Sequence, residues 1–309
     1  MTILPRPPKW SASEPWLVFV PEWICVAVIA LLDIPLAEVA GLSFRVTMHD
    51  ANLIAVPLLG VAMLTRKLGG ARAGLILEFL SLMLAAAPAL VITTYVAAAL
   101  AGPLIDSSLL ASDRAIGFNW FEWFHFVTAH RPIANVLKIL YDNLGTEALY
   151  FCLLMSLMGN AQRLREVFWL IYLALALTAL GSWLAPALGP FQTFGLKSYG
   201  YFLPEMARLR SNAVLDLSIG QLQGVVTFPS FHTTMALAMI YAFRGTGAIG
   251  WLAMTVNLLM LPGIPVFGGH YLVDMVAGGL VFVLALAMVR VAPPLARAAA
   301  AGESVLAAA

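Results

Sequence analysis

Gly268-Gly269-His270-Tyr271-Leu272-Val273-Asp274 opens an apolar run that carries no further charge as far as Val289. A run of roughly 20 residues, helical at ~1.5 Å per residue, spans the ~30 Å hydrocarbon layer of a bilayer. A histidine and an aspartate therefore stand at the mouth of a membrane helix. Pro229-Ser230-Phe231-His232-Thr233-Thr234 opens another apolar run, and its histidine lies 38 residues before His270. That separation is about two crossings of roughly 17–20 residues. The chain thus returns to the face it left, with both imidazoles on one side. A lone histidine in an apolar chain is ordinarily a packing residue, yet histidine is also the side chain suited to proton and phosphoryl transfer near neutral pH.

Composition sets the class. The chain has 309 residues, 61% apolar and 11% charged, with a mean hydropathy of +0.91, against about 45–50% and 25% in soluble domains. It reads as one integral-membrane, all-α domain over residues 1–309, a polytopic helix bundle with a short tail at 1–15 and an alanine-rich tail at 292–309. A net charge of +1 and the lack of a basic stripe with interleaved aromatics argue against a nucleic-acid surface. Cys25 and Cys152 both lie in apolar runs and read as small core residues, not as a disulfide or metal pair.

Apolar runs that span, or nearly span, begin near Trp16, Asn52, Leu75, Ile133, Val167, Phe231, Ile249 and His270, which predicts about eight helices. The first run is interrupted by Glu22 and Asp33 and is followed by no small-residue cleavage site, so it reads as a retained anchor rather than a signal peptide. Ten of the 17 basic residues, Arg6, Lys9, Arg66, Lys67, Arg72, Arg163, Arg165, Arg244, Arg290 and Arg297, fall at one set of helix ends. The positive-inside rule makes those ends cytoplasmic. Both termini are then cytoplasmic, and both histidine motifs open on the periplasmic or extracellular face of a bacterial-type plasma membrane.

Two segments on that outer face are longer than turns. Between Gly102 and Pro132, the stretch from Asp113 to His125 is aromatic and amphipathic, as expected of a segment in the headgroup layer, with Trp120, Trp123 and Phe124 as belt anchors. Between Gly189 and Thr227 the chain turns polar and feeds into the first histidine motif, which favours a functional loop. No internal repeat is visible.

In the first motif Ser230 is a suitable N-cap, and the free N–H groups behind it form an anion site with His232 in the first turn. Phosphate is the expected guest, with Ser230 and Phe231 at its edge. In the second motif Gly269 permits close backbone approach, and His270 and Asp274 share a helix face at i and i+4. Asp274 is expected to accept the Nδ1 proton of His270, leaving Nε2 free to attack.

Pro-Ser-Phe-His-Thr and Gly-His-Tyr-Leu-Val-Asp, followed by Met275-Val276-Ala277-Gly278-Gly279, resemble the second and third signature motifs of the type 2 phosphatidic acid phosphatase superfamily. Phe231, where phosphatases usually carry glycine, and His-Tyr-x-x-Asp look more like its inositol phosphorylceramide synthase branch. The resemblance runs from about Gly189 to Val289 and extends weakly through Asp113-Arg114. It implies a six-helix phosphatase-type core and a metal-independent lipid phosphatase or phosphotransferase without cofactors, acting on a lipid phosphate in the bilayer. His270 would be the nucleophile, His232 the acid and Asp274 the orienting partner.

The resemblance also has gaps. The superfamily's first motif, a lysine seven residues before Arg-Pro, is missing, because Phe124 precedes Arg131-Pro132 at that distance. The Ser-Arg that usually opens the third motif falls at Gly263 and Ile264. Other cations must meet the phosphate charge; the candidates are Arg208, Arg210, Lys197 and Arg114. Lys138 and Asp142 are expected to pair at i, i+4, and Glu147 and Asn143 to face the bundle interior. His49, His125 and His130 carry no expected chemistry, and Asp33, Glu78 and Glu22 have no assigned partner. The alternative to an enzyme is a lipid or anion binder, or a transporter, that retains the fold; a transporter would show matched broken helices, and none is visible.

Overall fold

The computed structural model describes residues 17–47, 50–211 and 213–291. Both predicted tails, with Arg6, Lys9 and Arg297, and also His49 and Asn212, lie outside the described residues. The α-helices are α1 (Val20–Val39), α2 (Ala55–Lys67), α3 (Ala71–Leu100), α4 (Asp106–Ala115), α5 (Trp120–Ala129), α6 (Arg131–Asp142), α7 (Leu144–Leu157), α8 (Ala161–Leu184), α9 (Pro190–Thr193), α10 (Leu203–Leu209), α11 (Phe231–Ala242), α12 (Ala248–Met260), α13 (Ile264–Phe267) and α14 (Leu272–Val291). The fold is an all-α membrane bundle. Among the described residues the one sheet is a parallel pairing of two short strands, β1 (Leu42–Arg45) and β2 (Leu215–Ser218), in the register Leu42 to Leu215.

Among the described residues five segments are long and apolar enough to cross a membrane: Val20–Val39, Ala71–Leu100, Ala161–Leu184, Ala248–Phe267 and Leu272–Val291. Leu144–Leu157 and Phe231–Ala242 are shorter apolar helices. The run expected near Asn52 yields only α2, 13 residues, or about 20 Å; it folds back on α3 as a hairpin. The run expected from Ile133 is split into α6 and α7 at Asn143. Amphipathic α6 and apolar α7 could not form one continuous spanning face.

Among the described residues, the partners of basic residues at the helix ends explain the intramembrane carboxylates. Glu78 of α3 is fully buried, accepts hydrogen bonds from the Val18 and Phe19 N–H groups at 2.9 Å each, and pairs with Arg66. It thereby caps the start of α1, whose first N–H groups have no intrahelical acceptor. Glu22 pairs with Arg165 at 2.7 Å and accepts from Trp169 Nε1 at 2.9 Å. Asp33 accepts from the Thr93 hydroxyl at 3.0 Å. A fourth knot joins α8 to α11, where Glu166 holds Arg244 at 2.7 Å and accepts from Tyr241. These contacts tie α1 to α3 and α8 where a solitary charge would be costly. Replacing Glu78 with alanine strips Arg66 of this carboxylate and two N–H groups of their acceptor. A loss of about 3–5 kcal/mol is expected, read as a lowered thermal midpoint in detergent; an unchanged midpoint would refute the capping role.

At the other end the interfacial expectation needs correction. Trp120 and Phe124 are buried, at 1% and 3% exposure, and are not belt anchors. Trp120 stacks on Phe124 and Phe194, meets Phe191 edge-on, and donates from Nε1 to the Pro265 carbonyl at 3.0 Å. Trp123 Nε1 donates to the Pro262 carbonyl at 3.1 Å. Consequently α5 is a wall against the turn that precedes His270. Buried tryptophans need a partner for the indole N–H, and the carbonyls of Pro262, just before α13, and Pro265, within it, supply it.

Candidate active site

α11 and α14 bring the two histidine motifs together. Gly278 of α14 sits against the Ser230 carbonyl so closely that an added Cβ would lie 2.3 Å from that oxygen. Gly181 of α8 abuts the Pro229 ring from the other side, at 2.7 Å for the same construction. Two further bonds lock the crossing: Ser230 N–H donates to the Asp274 carbonyl at 3.0 Å, and the Thr234 hydroxyl donates to the Gly278 carbonyl at 2.8 Å. Ser230 N-caps α11 by accepting from Thr233 N–H at 3.4 Å. Spent on the cap, its side chain is fully buried. The Phe231 and His232 N–H groups, the next two along the first turn, have no acceptor among the described residues. Phe231's ring packs among Leu170, Ala174 and Val281, so only its backbone can serve an anion.

The imidazole centroids of His232 and His270 are 6.1 Å apart, with the ring planes tilted by 59°. His270 is 2% exposed and its Nδ1 lies 2.6 Å from the Thr227 carbonyl. A carbonyl can only accept, so Nδ1 carries the proton and the Nε2 lone pair is left free. This corrects the expected partner. Asp274 Oδ2 is 3.6 Å from Nδ1, beyond hydrogen-bond reach, and it accepts instead from Tyr271 N–H at 2.7 Å. Its other oxygen, Oδ1, is buried with no hydrogen-bond partner among the described residues.

Thr227 is fixed in turn, since its hydroxyl donates to the Ala187 carbonyl. The segment after Ala187 lies directly on the His270 loop. Gly189 has φ +81°, and a Cβ there would fall 2.4 Å from the Gly269 carbonyl oxygen. Gly269 has φ +63°, and the space where its Cβ would be is filled by the Phe191 ring. Two left-handed glycines in mutual contact are required, because L side chains are strained there and no room exists. Gly269 therefore makes its close approach to Phe191, not to a ligand.

Sequence reasoning missed four residues of this site. Tyr141 of α6 stacks on His232, with centroids 4.3 Å apart and planes 17° apart, and its hydroxyl is 3.3 Å from His232 Nδ1. Its only trace in the sequence was its position one residue before Asp142, in a segment read as an ordinary ion-paired helix. Asp113, fully buried, accepts from Leu272 N–H and Val273 N–H at 2.9 Å each, capping α14 from a separate helix. Burial raises its carboxyl above the usual range, against the opposing pull of those two donors. Asp106, two turns earlier on the same face of α4, accepts from Leu188 N–H at 3.0 Å and Gly189 N–H at 2.7 Å, and from the Tyr271 hydroxyl at 3.3 Å. Lys138, expected only to pair with Asp142, does so at 2.7 Å. Its ammonium also lies 5.8 Å from the centre of the Phe267 ring, which adjoins Tyr141.

A family model described as the PAP2 superfamily matches residues 107–288, more than half of the chain. The chain belongs to the PAP2 superfamily. No curated protein and no solved structure matches it. The matched span begins within α4 and ends within α14, so the Asp113 cap lies inside the PAP2 region and α1 to α3 precede it. PAP2 superfamily members are phosphoesterases, and membrane-embedded helices suit a lipid substrate.

The cations expected to serve this PAP2 site are elsewhere. Arg208 pairs with Glu205 at 2.9 Å and lines, with Arg45 and Asp216, a polar hollow of about 230 Å³ beside the strands. Arg210 donates to the carbonyls of Ala98, Ala101 and Gly102, closing the end of α3. Arg114 is exposed beside Phe118 and Phe194, and Lys197 is exposed after α9. None of the four makes a hydrogen bond, ion pair or ring contact with either imidazole. Glu147 is buried as expected, but it is engaged by the Asn257 side-chain amide at 2.7 Å. Among the described residues no group of His, Cys, Asp and Glu is arranged to hold a metal ion.

Proposed function

We propose that this protein is a lipid phosphatase or phosphotransferase that works through a phosphohistidine on His270. The observation that carries the reading is the pair of imidazoles 6.1 Å apart, one with its Nδ1 proton committed to a carbonyl and its Nε2 free. His270 Nε2 forms a bond to phosphorus while the bond from phosphorus to the leaving oxygen breaks. His232, protonated when the anion binds, gives its Nε2 proton to that oxygen. In the second displacement His232 takes a proton from water or from an alcohol, the new oxygen bonds to phosphorus, and the bond to His270 breaks. Asp274, 3.6 Å away, offsets the positive charge that the phosphorylated ring acquires.

The phosphate oxygens would be met by the free N–H groups of Phe231 and His232 at the start of α11. Lys138 would join them by leaving Asp142, since an exposed pair of this kind is worth about 0–1 kcal/mol. Basic residues clustered at the opposite helix ends support a site on the outer face of a plasma membrane, with both termini cytoplasmic, by the positive-inside rule. Phe231 and the missing third-motif arginine favour the transferase-like branch.

Purified protein in detergent, given a panel of lipid phosphates with and without an alcohol acceptor in excess chelator, tests this reading. Release or transfer of phosphate is expected, with an acid-labile, base-stable phosphoprotein on quenching at alkaline pH. Absence of turnover on every member, without labelled protein, would overturn the proposal.

A further inference from the structure

The proposed mechanism requires His232 to exchange a proton at one nitrogen only, the one that faces the reacting oxygen. We infer that Tyr141 is the positioning residue that imposes this, by holding the Nδ1 edge and one face of the His232 ring. The inference rests on the phosphoryl-transfer reading above and goes beyond it.

Three observations converge. The phenol ring of Tyr141 lies parallel to the imidazole at 4.3 Å, tilted by 17°, so it covers one face and prevents the ring from turning about its χ2. The Tyr141 hydroxyl is 3.3 Å from Nδ1, and that nitrogen has no other partner among the described residues. The hydroxyl lies over Gly268, where an added Cβ would come to 3.0 Å from it and to 2.6 Å from the ring carbon Cδ2 of His270. A side chain at position 268 would push it aside.

The arrangement differs from that of His270 in a useful way. A backbone carbonyl at Nδ1 of His270 can only accept, and it fixes that ring in one state. A hydroxyl can donate or accept; acting as the acceptor at Nδ1 of His232 it serves whether or not Nε2 is protonated, so the ring can cycle between charged and neutral forms without changing partners. An aromatic face over the ring also favours the charged form, since cations are attracted to π-systems. When the leaving oxygen takes the Nε2 proton, the ring that remains is neutral and still bonded through Nδ1 to Tyr141. When water or an alcohol enters, the same Nε2 receives its proton. One histidine is thereby set as the nucleophile and the other as the acid and base.

Leaving-group dependence separates this role from a merely structural one. General acid catalysis is worth about 10²–10⁴-fold where the departing oxygen is a poor leaving group and little where it is a stable phenolate. Tyr141→Phe keeps the stack and loses the hydroxyl; Tyr141→Leu loses both. On an alkyl lipid phosphate, kcat/KM, which reports formation of the phosphohistidine and not its breakdown, is expected to fall about 10-fold or more in the first and about 100-fold or more in the second. On a p-nitrophenyl ester kcat/KM of each should stay within about 3-fold of wild type. Equal losses on both esters, or no loss on either, would overturn the inference.

A second measurement needs neither variant to fold nor the wild type to turn over. In protein labelled with ¹⁵N-histidine, the His232 ring should keep a protonated Nδ1 across the pH range while only Nε2 titrates. Titration at Nδ1 with a permanently protonated Nε2 would overturn it even if phosphate transfer is observed. Absence of turnover with the expected spectrum would instead count against the phosphohistidine reading alone.

Discussion

His270→Ala is expected to abolish phosphate release and transfer, a fall of about 10⁴-fold or more in kcat with the bundle intact. The size follows from removing the atom that forms the covalent intermediate, since deleting a nucleophile costs about as much as deleting the whole catalytic set. Little stability should be lost. The ring makes one hydrogen bond, to Thr227, and the small cavity is bounded by a loop already pinned through Asp113 and Gly189. Steady-state turnover together with a thermal midpoint in the same detergent checks both halves. A variant that retains a tenth of wild-type kcat would remove His270 from the nucleophile's role.

Asp113→Ala should be the next most damaging change, through geometry rather than chemistry. Its carboxylate is the sole acceptor among the described residues for the Leu272 and Val273 N–H groups, and an unpaired buried N–H costs about 1–3 kcal/mol. Without it the first turn of α14 must fray or shift, which carries His270 away from the Thr227 carbonyl. A displacement near 1 Å at a reacting atom costs about 100-fold in rate. The expected outcome is therefore a lowered thermal midpoint together with a fall of about 100-fold in kcat, both partly recovered in Asp113→Asn, which keeps one oxygen acceptor. A stability loss with kcat unchanged would show that Asp113 supports the helix without positioning the histidine.

How much of this was legible in advance varies from residue to residue. The convergence of His232 and His270 could be read because helix rise and bilayer thickness turn a spacing of 38 residues into two crossings. Ser230 could be read as a cap because capping is local. The second crossing was overestimated because a window of apolar residues near Asn52 says nothing about where the 3-10 turn at Ala51–Ile54 ends and α2 begins. Trp120 was assigned to the interface from its composition. A tryptophan in an amphipathic stretch has the same local signature whether its indole faces headgroups or, as here, the Pro265 carbonyl.

The cations show the clearest limit. Arg208, Arg210, Lys197 and Arg114 were selected for lying in outer loops, but a loop's position in the chain does not fix the direction of its side chains. Two of them have carboxylate or carbonyl partners of their own. Asp274 was close in kind: the carboxylate is near His270, but the turn geometry at Tyr271 aims it at a backbone N–H instead.

The amino-acid sequence by itself determined that this chain is a helical membrane protein with two histidine motifs on one face, because transfer free energy, helix capping and helix rise act residue by residue along the chain. The tertiary structure alone decided what those histidines touch. Thr227, Tyr141 and Asp113 reach the site from three separate segments, and which donor meets which acceptor depends on the rotation and depth at which helices pack. Gly181, Gly189, Gly269 and Gly278 set that packing by the absence of a side chain.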